Sequence, residues 1–181
     1  LITGGGSALL PSPVRGITLD DKIQVGRLLS AAGANIEQLN TVRRNLSLVK
    51  GGGLARACRA GRLVSLIISD VQGDPLELIA SGPTVLQLPD PESALHVLES
   101  TGLINAPSIQ RVISYLRSAS NLLVAQQRTK GSHRVASASY ANAAAIVANF
   151  IVGSNAIAVD AARAEASRLG YLVFSSSAIT A

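Results

Sequence analysis

Apolar and polar residues alternate along this chain with two different periods. After Asn35, apolar residues recur every three or four positions, which predicts an amphipathic helix that buries Ile36, Leu39, Val42, Leu46 and Val49. Residues 63–68 instead form a nearly continuous apolar run of strand length, a pattern typical of a strand buried on both faces. Helical and strand patterns therefore occur in the same chain, as they do in α/β proteins.

The remaining segments continue this alternation. We predict further helices over residues 18–32, 54–60, 90–98, 108–117 and 156–169, and further strands over residues 1–3, 149–152 and 171–174. Residues 119–142 are polar and poorly periodic, which predicts a long surface excursion. The expected fold class is α/β, with a mostly parallel sheet covered by helices on both faces. Because the chain begins and stops inside apparent strands, we expect this sheet to be incomplete at both ends.

Composition narrows the class of protein. The chain has 181 residues, of which 48% are hydrophobic and 15% charged, so it suits one folded domain. Aromatic residues make up 3%, which argues against nucleic-acid readers that stack bases on aromatic side chains. The single cysteine, Cys58, excludes an internal disulfide framework and favours a reducing compartment, the cytoplasm. No apolar run reaches the roughly 18 residues of a membrane span, so no membrane segment is expected.

Charge is distributed unevenly along the chain. The formal net charge is +5, and residues 38–69 hold six basic residues and no acidic one, whereas residues 61–100 hold one basic and six acidic residues. A basic stretch beside an acidic one can serve an anionic ligand and a metal, whereas a nucleic-acid binder is more often basic throughout. A surface of uneven charge without a ligand stays an open alternative.

The first candidate site follows the strand end at residues 1–3. Consecutive glycines let backbone N–H groups close around an anion, and a serine hydroxyl follows them: Gly4, Gly5, Gly6 and Ser7. This segment lacks both the spaced glycines of the dinucleotide fingerprint and the lysine of the P-loop. It is either an anion-binding loop or a tight turn.

Two further candidates lie downstream. At helical spacing, Asn40, Arg43, Ser47 and Lys50 form a polar stripe whose cations could hold a carboxylate or a phosphate; a solvated helix face is the alternative. Asp70 follows the apolar run at residues 63–68, where its carboxylate could bind Mg²⁺ or orient a hydroxyl. The Asp-Pro pair at 74–75 predicts a helix N-cap.

The combination of these segments in one chain indicates a protein family more specifically than any single segment does. In this order the chain carries residues 3–10 (TGGGSALL), 40–44 (NTVRR), 50–52 (KGG), 69–71 (SDV), 73–74 (GD) and 79–84 (IASGPT). The combination resembles the N-terminal domain of the type-2 glycerate kinases, whose second domain is called MOFRL. Asn45 stands where a histidine is more usual in that family.

The resemblance implies a fold and an activity. The fold is a Rossmann-like three-layer sandwich, and the activity is transfer of the γ-phosphoryl group of ATP to the 2-hydroxyl of D-glycerate, giving 2-phosphoglycerate. Residues 1–181 would be a partial N-terminal domain that lacks an upstream segment and the MOFRL domain, and would be inactive alone. The resemblance implies ATP and Mg²⁺, and it leaves a homodimer open.

The residues and the resemblance agree on a division of roles. Phosphoryl transfer depends mainly on positioning and on neutralising phosphate charge. The glycine loop would cradle phosphate oxygens, Arg43 and Lys50 would hold the glycerate carboxylate or the transferring phosphoryl group, and Asp70 would bind Mg²⁺ or take the hydroxyl proton. Secondary polar contacts would come from Asn40, Ser81 and Thr84.

Two rival functions stay open. A glycine-rich turn after a strand also suits an NAD(P)-dependent hydroxypyruvate reductase, although no acidic residue follows at the position that would bind the ribose hydroxyls. A non-catalytic anion-binding module is the second rival. That module would bind its partner without Mg²⁺ dependence or turnover.

Overall fold

The computed structural model describes residues 1–3, 5–129 and 146–174. Its strands are β1 (Ile2–Thr3), β2 (Arg62–Ile68) and β3 (Ile146–Gly153). Its helices are α1 (Gly6–Leu9), α2 (Leu19–Ala31), α3 (Ile36–Asn45), α4 (Gly53–Ala57), α5 (Pro91–Ser100), α6 (Gln110–Thr129) and α7 (Asn155–Arg168). Short 3₁₀ turns occupy Ile79–Ser81 and Pro107–Ile109. No helix in these described ranges is both long and apolar enough to span a bilayer.

The three strands form one parallel sheet in the order β1-β2-β3, which confirms the predicted α/β class. Ile2 pairs with Ile67, and Leu63 pairs with Val147. Because the strands are parallel, their carboxyl ends lie at the same edge of the sheet. The segments that follow β1 and β2 there begin with the glycine loop and with Ser69. This edge is where open α/β sheets usually bind ligands.

The main hydrophobic core lies among the helices. It joins residues of α2, α3, α5 and α6, and its fully buried members include Leu29, Val42, Leu46, Leu98, Ile113 and Leu116. In β2, Ser65 and Ile67 are buried, but Val64 is 59% exposed and Leu66 is 44% exposed. Buried and exposed residues thus alternate along β2, so the prediction of a strand covered on both faces is not met within the described residues.

Local sequence signals set three helix starts as predicted. Thr18 and Asp21 form a capping box at α2, and Asn35 and Gln38 form another at α3. At α5, the Asp90 side chain accepts a hydrogen bond from the Ser93 amide. Each cap satisfies backbone N–H groups that the helix leaves unpaired.

Two helix ends differ markedly from the prediction, and α4 also ends early, at Ala57 instead of residue 60. Helix α3 ends at Asn45 rather than continuing to Lys50, because Ser47 forms an antiparallel bridge with Pro13 that draws the chain out of the helix. Helix α6 continues to Thr129, so the expected surface excursion is wrong over residues 119–129. Ser and Ala tolerate a helix even where no apolar period marks it. The rest of that excursion, residues 130–145, lies outside the described residues.

Two smaller predictions are wrong. The Asp-Pro pair does not start a helix: Asp74 has a φ of +53°, and Pro75 begins a turn in which its carbonyl accepts from the Leu78 amide. Residues 171–174 form no strand. The left-handed backbone of Asp74 is incompatible with the extended conformation of a helix N-cap, and a strand at residues 171–174 would need a neighbouring strand to pair with.

Gly26 offers a test of the α2 helix. It lies inside α2, and a Cβ added there would meet nothing within 4 Å. We expect Gly26→Ala to raise the free energy of unfolding by about 0.5–1 kcal/mol, because alanine loses less backbone entropy than glycine in a helix. Urea denaturation measures this change. An unchanged or lower midpoint would mean that α2 is not helical at Gly26.

Candidate anion-binding site

The glycine loop connects the carboxyl end of β1 to α1. Gly5 has a φ of +75°, a left-handed conformation that favours glycine, and α1 begins at the next residue. This turn brings Ser7 to the edge of the sheet. Gly4 lies outside the described residues.

Lys50 reaches this loop from a distant part of the sequence. Its ammonium Nζ donates to the carbonyl oxygen of Ser7 and to Ser7 Oγ, each over 2.6 Å. Lys50 is only 3% exposed. The glycine loop and the polar stripe that ends at Lys50, two separate candidates in the sequence, are therefore in direct contact.

A second left-handed turn holds the backbone after Lys50. The amides of Gly51 and Gly52 donate to the carbonyl oxygens of Ser81 and Gly82, over 2.9 and 2.7 Å. Both glycines have positive φ, at 55° and 80°. The opposing segment is also left-handed, since Ala80 and Ser81 have φ values of 52° and 63°. Non-glycine residues rarely adopt this conformation, and such strain concentrates at functional sites.

Asn40, Ser81 and Thr84 lie behind this contact. Ser81 Oγ is 2.8 Å from Ser7 Oγ and donates to Asn40 Oδ1 over 3.2 Å. Thr84 Oγ1 donates to Asn149 Oδ1 over 2.7 Å, which joins the 79–84 segment to β3. The three predicted contact residues are at most 4% exposed. Asn149 is not among the predicted site residues, although an amide side chain inside an apolar strand was a signal.

A cleft of about 530 Å³ opens beside Ser7 and Lys50. We call it the cationic cleft, because four basic and no acidic side chains line it among the described residues: Lys22, Arg27, Arg43 and Lys50. The ammonium of Lys22 donates to the carbonyl oxygen of Pro11 at its rim. Lys22 and Arg27 were not predicted, because their helix also carries acidic residues and the sequence alone gives no sign of which side faces the loop.

Burial and nearby positive charges lower the pKa values of two lysines in the cationic cleft. Burial, together with the nearby charges of Lys22 and Arg43, lowers the pKa of Lys50 from 10.5 to about 8. Burial and the charge of Arg43 lower the pKa of Lys22 to about 8 as well. Neither ammonium forms an ion pair with a carboxylate of the described residues, although a buried charge is usually paired. An anionic ligand would supply that missing negative charge.

Asp70 follows β2 and Ser69 at the same edge of the sheet, but it does not line the cationic cleft. It is exposed, and its carboxylate has no hydrogen bond or ion pair with the residues that the structure describes. Those residues also contain no group of three or more His, Cys, Asp or Glu side chains that could hold a metal by themselves. Where a protein binds Mg²⁺ through one or two carboxylates, substrate phosphates and water supply most of the other ligands.

A second cleft, of about 380 Å³, lies on the other side of Lys50. Arg44, Ser47 and Arg56 line it, and Lys50 is the one lining residue that both clefts share. Ser47 Oγ accepts from the Lys50 backbone amide over 3.4 Å, so Ser47 supports the turn. Asn45 donates to the Asp90 carbonyl and accepts from the Asp90 amide, which joins α3 to the start of α5. That pairing gives Asn45 a structural role.

The sequence of this chain matches a protein family and several individual proteins. The family described as "Domain of unknown function (DUF4147)" matches residues 1–116. Glycerate kinase from Homo sapiens is 44% identical over 173 residues, which cover 94% of this chain and 30% of that protein. A putative hydroxypyruvate reductase from Agrobacterium vitis is 46% identical over 114 residues, or 63% of this chain and 30% of that protein.

A solved structure with the same name as the human relative also matches this chain. The crystal structure of glycerate kinase from Thermotoga maritima matches with a TM-score of 0.68 and 31% sequence identity. The match covers 94% of this chain and 36% of that one. The chain thus spans about a third of the length of the relatives it matches.

Proposed function

The chain belongs to the DUF4147 family, and on that premise we propose that it forms part of a glycerate kinase. The reaction transfers the γ-phosphoryl group of ATP to the 2-hydroxyl of D-glycerate: a phosphorus–oxygen bond forms at that hydroxyl, and the bond to the β-phosphate breaks. One observation carries the proposal, namely that four basic side chains and no acidic one line the cationic cleft in the part of the chain that the structure describes. Both substrates are anions, and relatives named glycerate kinase align with 94% of the chain.

The described side chains support specific roles. Lys50 and Arg43 hold the glycerate carboxylate or the transferring phosphoryl group, since both line the cleft and have no carboxylate partner among the described residues. The glycine loop of Gly4, Gly5 and Gly6, with Ser7, presents backbone N–H groups to phosphate oxygens. Positive charge that is held in place before the reaction lowers the barrier, because it needs no rearrangement when phosphate charge shifts.

Asp70 is the residue that would hold Mg²⁺. Mg²⁺ commonly binds one or two carboxylates together with substrate phosphates and water, and an exposed, unpaired carboxylate at the ligand-binding edge of the sheet fits that donor set. When bound, the ion would neutralise phosphate charge. The second role we propose for Asp70, as acceptor of the glycerate hydroxyl proton, uses the same carboxylate.

Substitution of Asp70 distinguishes these roles from a structural one. Asp70→Asn keeps the size of the side chain but removes its charge, and we expect the Mg²⁺ concentration for half-maximal activity to rise about tenfold or more. The exposed position predicts an unchanged melting temperature. A matched control is Asp74→Asn, on the turn that follows. If Asp70→Asn left the Mg²⁺ dependence unchanged, metal binding there would be ruled out.

The proposal concerns the intact protein. The relatives are about three times as long as this chain, so we propose that residues 1–181 are part of the N-terminal domain of a longer enzyme and are inactive alone. The single cysteine is consistent with a cytoplasmic enzyme, and a homodimer stays a prediction.

A coupled assay tests the reaction. The intact protein is mixed with D-glycerate, Mg²⁺ and ATP, ADP release is linked to NADH oxidation, and enolase is added with and without a mutase. ADP release with a product that enolase accepts directly would establish a glycerate 2-kinase. A product that needs the mutase would indicate transfer to the 3-hydroxyl instead.

A reductase is the alternative, because the relative from Agrobacterium vitis is named a putative hydroxypyruvate reductase. The glycine loop argues against it, since it lacks the spaced glycines that bind dinucleotides. Oxidation of NADH or NADPH by hydroxypyruvate, without ADP release in the first assay, would favour the reductase and contradict our phosphate roles.

A further inference from the structure

Four hydrogen-bonded side chains beside the cationic cleft form a chain whose direction follows from their chemistry. Lys50 Nζ donates to Ser7 Oγ over 2.6 Å, and Ser81 Oγ donates to Asn40 Oδ1 over 3.2 Å. Ser81 has a single hydroxyl proton, so Ser7 must be the donor in the 2.8 Å contact between the two hydroxyls. The hydrogen bonds therefore run one way, from Lys50 through Ser7 and Ser81 to Asn40.

This direction limits what each group can offer a ligand. The hydroxyl proton of Ser7 is engaged inside the protein, so the Ser7 side chain has no proton for a phosphate oxygen. An ammonium has three N–H donors, and Lys50 uses two of them on the carbonyl oxygen and the hydroxyl of Ser7. One N–H of Lys50 is left for an anion.

Burial separates the end of the hydrogen-bond chain from the cleft. Ser81 is 1% exposed and Asn40 is 4% exposed, and neither lines the cationic cleft. We propose that Ser81 and Asn40 are positioning residues: they fix the Ser7 hydroxyl as an acceptor and so hold the Lys50 ammonium with its third N–H toward the anion. This inference rests on the proposed function for the anion, but the hydrogen bonds can be tested without one.

The backbone at Ser81 supports a role for its hydroxyl. Ser81 has a φ of +63°, a conformation that glycine adopts without strain and serine does not. Its neighbour Ala80 has a φ of +52° and no hydroxyl. Ser81→Gly therefore relieves strain and removes the hydrogen bonds, whereas Ala80→Gly relieves strain and leaves them. The pair separates the effect of the hydroxyl from that of the backbone.

Lysine-selective ¹³C and ¹⁵N labelling provides a direct measurement. Residues 1–181 contain three lysines, Lys22, Lys50 and Lys130, and the Lys50 signal is the one that disappears from the spectrum of the intact protein in a Lys50→Met variant. We expect Ser81→Gly and Asn40→Ala each to lower the pKa of Lys50 further, by roughly 0.3 on the pH scale. In either variant Ser7 becomes a less polarised and therefore weaker acceptor for the ammonium. Ala80→Gly should leave this pKa as it is in the wild-type chain.

The double variant and an anion complete the test. Ser81→Gly combined with Asn40→Ala should shift the Lys50 pKa no further than either change alone, because both break the same chain of hydrogen bonds. Additive shifts, no shift, or an equal shift in Ala80→Gly would overturn the inference. Inorganic phosphate is the probe for the cleft, and we expect each single variant to weaken its binding a few-fold. If phosphate bound Lys50→Met as well as wild type, the proposed function would fail while the hydrogen-bond result stood.

Discussion

Replacing Lys50 with methionine is expected to lower kcat/KM for D-glycerate in the intact enzyme about 1,000-fold, roughly 4 kcal/mol of transition-state stabilisation. Methionine fills a similar volume but has no charge for a phosphate or carboxylate oxygen. Steady-state kinetics measure the loss. Lys50→Arg keeps the charge but cannot place a guanidinium where the compact ammonium donates twice to Ser7, so it should recover only part of the activity.

Stability separates this catalytic effect from unfolding. Lys50 is buried beside Lys22 and Arg43, with no carboxylate lining the cleft among the described residues, so its charge costs free energy in the folded state. Lys50→Met should therefore unfold at the same or higher denaturant concentration at pH 7. If stability fell in parallel with activity, Lys50 would be assigned to the fold instead of the site.

The pH dependence of stability gives a second control for Lys50. Its pKa is about 8 in the folded chain and 10.5 ordinarily, so between these values the unfolded chain binds more protons. The free energy of unfolding from this group therefore rises from about pH 8 to about pH 10.5, and the destabilisation is fully present below pH 8. Lys22 contributes a rise in the same window. In Lys50→Met the total rise should be smaller.

Replacing Gly52 with alanine is expected to destabilise the fold by at least about 3 kcal/mol and to disrupt the site with it. Gly52 has a φ of +80°, and an added Cβ would lie 2.6 Å from Leu86 Cα and 2.8 Å from the Val85 carbonyl oxygen. These neighbours are backbone atoms and cannot rotate away. Because Gly51 and Gly52 also donate to the strained 79–84 segment, the turn that carries Lys50 would have to move. Urea denaturation and phosphate binding measure the two effects.

Gly33 is the matched control for Gly52. It has nearly the same φ, +78°, but an added Cβ would meet nothing within 4 Å. Gly33→Ala should therefore cost only the conformational strain, about 1–2 kcal/mol, and leave phosphate binding unchanged. Equal losses of stability in the two variants would mean that the close approach of Gly52 to Leu86 is absent.

The sequence was most informative where the determinants are local. Thr18, Asn35 and Asp90 each cap a helix with atoms from within three residues, so the starts of α2, α3 and α5 were predictable. The parallel sheet was also predictable, because β2 is an apolar run between helices. These features need no knowledge of distant contacts.

The errors have non-local causes. Nothing within α3 indicates its end at Asn45, because the chain is drawn away by the pairing of Ser47 with Pro13. The site shows the same limit. Ser7 and Lys50 were predictable site residues, but their contact was not. Lys22 was not predictable either, because the approach of α2 to the glycine loop depends on packing. Ser7 and Lys50 are 43 residues apart, and the hydrophobic periodicity of a sequence does not predict which side chains meet over such a separation.

The left-handed turn at Gly51 and Gly52 pairs with the left-handed segment at residues 80–82, and the order of synthesis determines when this pairing can form. Ser7 and Lys50 leave the ribosome first, but the carbonyl groups that accept the amides of Gly51 and Gly52 belong to Ser81 and Gly82. Until those residues emerge, the turn after Lys50 lacks its backbone partners, and water can solvate the ammonium. Burial of that charge in its final turn therefore has to wait until the 79–84 segment has been synthesised and has packed against Gly51 and Gly52.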